Sequence, residues 1–180
     1  YTPTYIVDYI VRQTVGKLVA DIAGRERSAD FRPLQLPNAD DAGNKSDASE
    51  VRTVKRPEGR APSATAILNR VAKLRILDPA CGSGSFLIGA YQFLLDWHLR
   101  FYLANDPVKF AKGNRPALVQ TGKGWRLTIA ERKRILLANI YGVDIDAQAV
   151  EVTKLSLLLK VLEGETGQTL QTIFRLFSER

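Results

Sequence analysis

Eleven residues, Ile76-Leu-Asp-Pro-Ala-Cys-Gly-Ser-Gly-Ser-Phe86, constrain this chain more than any other stretch. A short apolar run, Leu74 to Leu77, leads into Asp78, a turn containing Gly82 and Gly84 follows, and a long amphipathic pattern begins. Such a run suits a strand buried in a parallel sheet. The glycines let the backbone bring N–H groups close to a ligand at the start of the next helix. Asp78, at the carboxyl end of the strand, stands where open α/β sheets place ligand-binding groups. The segment reads as a cofactor site.

Elimination narrows the ligand. A phosphate-binding loop needs Lys-Ser or Lys-Thr after its last glycine, but Gly84 is followed by Ser85 and Phe86, with no lysine until Lys109. A dinucleotide fingerprint needs a third glycine where Leu87 stands, and an acid ending a strand about 20 residues further on, which is missing.

The turn Asp78-Pro-Ala-Cys-Gly-Ser-Gly84 resembles motif I of S-adenosylmethionine-dependent methyltransferases. With Ser85-Phe86 added it is similar to the N6-adenine-specific DNA methyltransferases of restriction-modification and phage-defence systems, including the Type IIG-like enzymes. A cofactor with a cationic sulfonium and ammonium, a carboxylate and no phosphate suits the residues: Asp78 for the cationic end, the turn's N–H groups for the carboxylate. Tyr1-Thr-Pro-Thr4 resembles the family's motif X, which contacts the methionine part of the cofactor; Thr2 also reads as a plain helix N-cap with Pro3 at the first helical position. Downstream, Ile140-Tyr-Gly-Val-Asp-Ile-Asp146 reads as a second strand ending in acids. The resemblance gives Asp144 the ribose hydroxyls, and Asp146, before Ala147, fits a helix cap. The cofactor-binding set it implies is Tyr1, Thr2, Asp78, Pro79, Ala80, Cys81, Gly82, Gly84, Phe86, Asp144 and Ile145.

The fold implied is Rossmann-like α/β, three αβα layers with a parallel sheet, incomplete because the chain stops after the second motif strand. Asp144 lies 60 residues after Gly84, more than a strand-helix-strand unit requires, so residues 105–138 should hold an insertion. The order of motif X, motif I and acidic strand is that of the gamma arrangement, in which the catalytic Asn-Pro-Pro-aromatic run comes later. That run, which holds a flipped adenine, does not occur here; Asn105-Asp-Pro107 lacks the second proline and the aromatic and reads as a turn. With no methionine, motif X at Tyr1 and no closing signal before Arg180, the chain looks like an excised piece, inactive by itself, whose partners are the rest of its parent and double-stranded DNA. The alternatives are a non-catalytic S-adenosylmethionine-binding scaffold and an RNA or protein methyltransferase.

A net charge of +7 suits a nucleic-acid partner without demanding one. Five basic residues from Lys123 to Arg134 face one acid, Glu131, and surround Trp125. Lys123, Trp125, Arg126, Arg132, Lys133 and Arg134 are therefore candidates for contact with DNA phosphates, and the competing reading of Glu131 to Arg134 is the solvated face of a helix ending at Leu137. No apolar run approaches a membrane span, and the single Cys81 suits a reducing cytoplasm, as a small packed residue rather than a nucleophile. His98 has no second ligand at metal spacing, so no metal is expected.

The rest of the chain is read from its periodicity. Apolar residues at helical spacing from Ile6 to Ile22 predict an amphipathic helix over residues 4–23, packed on the sheet. Residues 24–60, rich in Asp, Asn, Ser and Pro, read as a flexible loop within which Phe31-Arg-Pro-Leu34 is a possible DNA contact. Helices are expected over 64–73, from Gly84 to about Ala104 with a core stripe of Phe93, Trp97 and Phe101, and over 147–162, with Gly164 to Gly167 closing the last. Residues 139–180 thus hold the acidic strand and its helix, with Thr169 to Phe177 left ambiguous.

Overall fold

The computed structural model describes residues 2–24, 63–122 and 124–165. Tyr1, almost all of the expected loop over 24–60, Lys123, and the segment from Thr169 to Phe177 lie outside the described residues. The elements, in chain order, are α1 (Thr4–Val11), a π-helical stretch (Arg12–Gly16) and α2 (Lys17–Ile22), then α3 (Ala64–Ala72), β1 (Ile76–Asp78) and α4 (Ser85–Ala104). They are followed by α5 (Pro107–Phe110), β2 (Leu118–Thr121), β3 (Gly124–Leu127), α6 (Ile129–Asn139), β4 (Ile140–Gly142) and α7 (Ala147–Leu162).

The first helix forms as expected and runs unbroken from Thr4 to Ile22 through the π-helical stretch. Its buried stripe is Val7, Val11, Val15 and Val19. Valines four apart drift around an ideal α-helix by about 40° per step. The wider turn at Arg12–Gly16, where the Thr14 hydroxyl donates to the Ile10 carbonyl at 2.8 Å, takes out part of that drift. The helix packs mainly on α4 rather than on the strands. Gly89 makes this possible, because a Cβ there would lie 2.5 Å from Val7 Cγ1. Since Val7 meets Gly89 and Gly16 meets Phe93, α1 runs alongside α4 in the same direction, which puts Thr2 at the end where α4 begins. Pro3 itself occupies the cap position, so the helix starts one residue later than a Thr2 cap would have it.

β1 and β4 pair in parallel, Ile76 with Ile140, Leu77 with Tyr141 and Asp78 with Gly142. β1 is displaced from the expected Leu74 to Leu77. The Leu74 amide closes the end of α3 by donating to Val71, and the Asn139 side-chain amide donates to the Val71 and Leu74 carbonyls at 3.2 and 2.6 Å. Those bonds take the backbone groups a strand would need, so pairing begins at Ile76. Asn139, fully buried, thereby anchors α3 to the start of β4.

Ile76 and Ile140 are buried on the sheet face covered by α4, whereas Leu77 is 58 % exposed and Tyr141 39 % on the other. The described residues therefore form a mixed α/β unit with helices over one face of a small parallel sheet, two layers of the three expected. The stretch read as an insertion, 105–138, holds α5, an antiparallel hairpin β2–β3 and nearly all of α6. The hairpin was not foreseen. Phe93 is buried and Trp97 stacks on Phe101 with centroids 5.1 Å apart, so the aromatic stripe of α4 belongs to the core. No described helix is long and apolar enough to cross a membrane.

Candidate functional site

The glycine turn is built against the residues that follow β4. Val143 donates to the Asp78 carbonyl at 2.9 Å and accepts from the Cys81 amide at 3.0 Å, which carries the parallel ladder past Pro79 and Ala80. The Asp78 carboxylate accepts from the Ala80 amide at 3.1 Å and steadies the first corner. Cys81, buried, takes the packing role, with Sγ 3.2 Å from the position a Cβ would occupy at Gly142. Its carbonyl accepts from the Gly84 amide at 2.8 Å, which closes the turn onto α4.

The two glycines do different work. Gly84 has φ +81°, and a Cβ there would lie 2.7 Å from Thr153 Cγ2, so its smallness makes room for α7. Gly82 has φ +51°, and a Cβ there would meet nothing within 4 Å, so this part of the turn faces open space.

Asp144 is joined to the turn directly. Its Oδ2 accepts from the Gly82 amide at 2.7 Å and its Oδ1 from the Asp146 amide at 2.9 Å. Hydrogen bonds from the backbone at Asp146 and Gly82 hold the Asp144 carboxyl below the usual carboxylate range, so it stays ionised. Asp146 caps α7 by accepting from the Gln148 amide at 2.9 Å, the role its position in the sequence suggested. Ile145, between the two acids, is 105 % exposed. Thus Asp78, Pro79, Ala80, Cys81, Gly82, Gly84, Phe86, Asp144 and Ile145 gather at the carboxyl ends of β1 and β4, with Thr2 at the same end of the molecule. Thr153 completes the group. It is buried, its hydroxyl donates to the Gly82 carbonyl at 2.8 Å, and sequence reasoning missed it because it sits inside an ordinary helical pattern.

The basic candidates do not form a comparable group. Arg126 Nη1 donates to the Gly164 carbonyl at 3.0 Å, and its Nη2 lies 3.6 Å from Glu165. Arg132, 9 % exposed, donates to the Val161 and Glu163 carbonyls at 3.0 and 2.7 Å, closing the carboxyl end of α7. Arg134 makes a two-pronged bond to Glu131 at 2.8 and 2.7 Å, and Tyr102 donates to the same carboxylate at 2.5 Å. Burial pushes Glu131 up, but the hydrogen bonds from Arg134 and Tyr102 outweigh it and leave the carboxyl below its usual range. Since Glu131 and Arg132 are buried, this stretch of α6 is not a solvated face either. Trp125 is half-buried against the core, and Lys133 is exposed.

His98 lies fully buried beside this network, its Nδ1 hydrogen donating to the Leu94 carbonyl at 2.8 Å while Nε2 meets no partner among the described residues. Burial holds its pKa down at about 4. Among the described residues no group of His, Cys, Asp and Glu is placed to hold a metal ion.

Residues 54–173 match the family described as MmeI, DNA-methyltransferase domain, a span that contains the glycine turn, Asp144 and Thr153. The chain belongs to the MmeI DNA-methyltransferase domain family. Relatives of this MmeI-type chain include the type II restriction enzyme and methyltransferase RM.Eco57I of Escherichia coli, 36 % identical over 53 % of the chain and 9 % of that protein. A putative type II restriction enzyme and methyltransferase of Methanocaldococcus jannaschii, RM.MjaORFECS2P, is 32 % identical over 91 % of the chain and 12 % of its own length. The adenine-specific methyltransferase PglX of Streptomyces coelicolor is 30 % identical over 54 % of the chain and 6 % of its length. The aligned segments thus cover about a tenth of these relatives or less. No solved structure matches the chain.

Proposed function

We propose that this chain is the cofactor-binding portion of a site-specific DNA methyltransferase that takes its methyl group from S-adenosylmethionine and delivers it to N6 of adenine, within a restriction-modification or phage-defence system. The observation that carries the reading is the bond between the Asp144 carboxylate and the Gly82 amide, which joins an acid after one parallel strand to a glycine turn after its neighbour.

The donor set suits the cofactor. Both Asp144 oxygens already accept a backbone N–H, and each keeps a lone pair for a neighbouring hydroxyl of the ribose. Ile145 offers an uncovered apolar surface for the adenine ring next to that carboxylate. The amides that open α4, with no side chain capping them, suit the carboxylate of the methionine part, and Asp78 suits its ammonium. Gly82 leaves space for such a group to approach the backbone. When bound, S-adenosylmethionine supplies an electrophilic methyl group on a sulfonium. The residues of this chain bind and orient the cofactor, and their contribution to rate is positioning.

The finer fold assignment follows the same line: a Rossmann-like, three-layer methyltransferase domain whose uncovered Leu77 and Tyr141 face is completed by a further layer. No Asn-Pro-Pro-aromatic run occurs in the 180 residues, so we assign the flipped base and the recognition of the DNA site to other parts of the full-length protein. Names of the relatives support the methylation and restriction-modification assignments, and the adenine assignment rests on PglX together with the Asp-Pro-Ala-Cys-Gly-Ser-Gly-Ser-Phe turn. The test is to incubate the full-length protein with duplex DNA and isotope-labelled S-adenosylmethionine and digest the product to nucleosides. Label in N6-methyl-2′-deoxyadenosine is the expected outcome. Label in a cytosine product, in RNA or in protein would refute the substrate assignment.

A further inference from the structure

Gly82 is gripped from both sides by the unit that follows β4. Its amide donates to Asp144 at 2.7 Å, and its carbonyl accepts from the Thr153 hydroxyl at 2.8 Å. Thr153 sits two turns into α7, is 5 % exposed, and lies against the space left by the absent side chain of Gly84. A hydroxyl buried at that point has a directional consequence. The Gly82 carbonyl and the Ser83 amide belong to one planar trans peptide and point in opposite directions. Holding the carbonyl against α7 therefore turns the Ser83 N–H away from α7, on a residue that is itself exposed.

We propose that Thr153 is a positioning residue of the cofactor turn: its hydroxyl fixes the Gly82–Ser83 peptide so that the Ser83 N–H faces outward as a donor to the carboxylate of the cofactor's methionine part. This rests on the S-adenosylmethionine reading of the site. Thr153 itself does not touch the cofactor. Its effect is expected at the amino-acid end, because the nucleoside end is held by Asp144 and Ile145, and Asp144 bonds to the Gly82 and Asp146 amides rather than to the Gly82 carbonyl. A residue that merely stabilised the fold would weaken both ends alike.

That difference sets the experiment. The full-length protein and its Thr153→Val and Thr153→Ser variants are titrated calorimetrically with S-adenosylmethionine and with 5′-methylthioadenosine, which keeps the nucleoside and lacks the carboxylate. Valine keeps the shape and loses the donor; serine keeps the donor. Thr153→Val is expected to bind S-adenosylmethionine about tenfold more weakly, the size of one lost hydrogen bond to a charged partner, with 5′-methylthioadenosine affinity unchanged and Thr153→Ser close to the parent in both. Equal affinity of Thr153→Val and parent for S-adenosylmethionine, or equal loss for both ligands, would overturn the proposal. Binding of neither ligand by the parent would instead overturn the cofactor reading and the proposal with it. Should Thr153→Val fail to fold, Thr153→Ala is compared with Thr153→Ser, and unfolding of every variant lacking the hydroxyl would assign Thr153 to stability and refute a positioning role.

Discussion

The two ends of α4 use polar groups in opposite ways. At its start, carboxylates and backbone amides meet in the open: Asp78, Asp144 and Asp146 each accept a backbone N–H, and the glycine turn keeps an unobstructed side. Near its carboxyl end, long side chains are folded inward. Glu131 joins Arg134 and Tyr102, Arg132 closes the end of α7, and His98 is buried uncharged among them. One end keeps hydrogen-bonding capacity for a ligand, and the other uses its charged groups to tie α6 to α4 through Tyr102 and to the end of α7 through Arg132. In a basic chain, charge count alone does not separate these uses, and only the partners do.

The sharpest way to break this contrast is Gly84→Val. A β-branched residue at φ +81° is strained, and its Cβ would collide with Thr153, so the variant should lose about 2–4 kcal/mol of stability and bind S-adenosylmethionine at least about tenfold more weakly. Thermal melts and calorimetry check the two effects separately. A stable variant with parental affinity would show that the turn relaxes freely. At the other end, Glu131→Ala leaves Arg134 and Tyr102 without their acceptor and should cost about 1–3 kcal/mol in denaturant unfolding, while cofactor affinity of the folded protein stays within about twofold of the parent. Coupled loss of both would mean that the two ends are not independent.

His98 gives a smaller, pH-dependent effect at the same buried end. Its folded pKa of about 4 lies below the ordinary 6.5, so the unfolded chain takes up the proton first. Stability contributed by neutral His98 is complete above pH 6.5 and declines as pH falls toward 4, by roughly 3 kcal/mol. Unfolding free energies measured across that window should show the decline, and His98→Gln should flatten it. A flat profile in the parent would contradict a neutral buried imidazole. The smallest effect on stability belongs to Asp144→Asn, at the open end. Melting should hardly change, while S-adenosylmethionine affinity falls about tenfold through loss of the charged acceptor. In the parent, affinity should be insensitive to this group through the ordinary carboxylate range and fall only below it, because backbone hydrogen bonds from Asp146 and Gly82 hold the Asp144 carboxyl below its ordinary value.

The open end was far more legible in the sequence than the closed one. A strand, a glycine turn and a capped helix are local patterns, so α4 ended at Ala104 and α7 spanned Ala147 to Leu162 as read, and Asp146 took its cap. β1 shifted toward Asp78 because Asn139, distant in sequence, takes the carbonyls of Val71 and Leu74. Thr153 was hidden for the same reason, since nothing in a helical repeat marks which hydroxyl will face a turn 71 residues away. The hairpin left a signal that was passed over, two short runs around Gly122-Lys-Gly124, whereas the partners of Arg126, Arg132 and Arg134 are set by tertiary packing that no charge count reveals.

The most direct measurement is calorimetric titration of the full-length protein and its Asp144→Asn variant with S-adenosylmethionine, ATP and NAD in parallel. Saturable binding of S-adenosylmethionine alone, weakened about tenfold by Asp144→Asn, is the expected result. Binding of ATP or NAD in its place, or S-adenosylmethionine binding indifferent to Asp144, would contradict the assignment of the Gly82–Asp144 junction as the cofactor site.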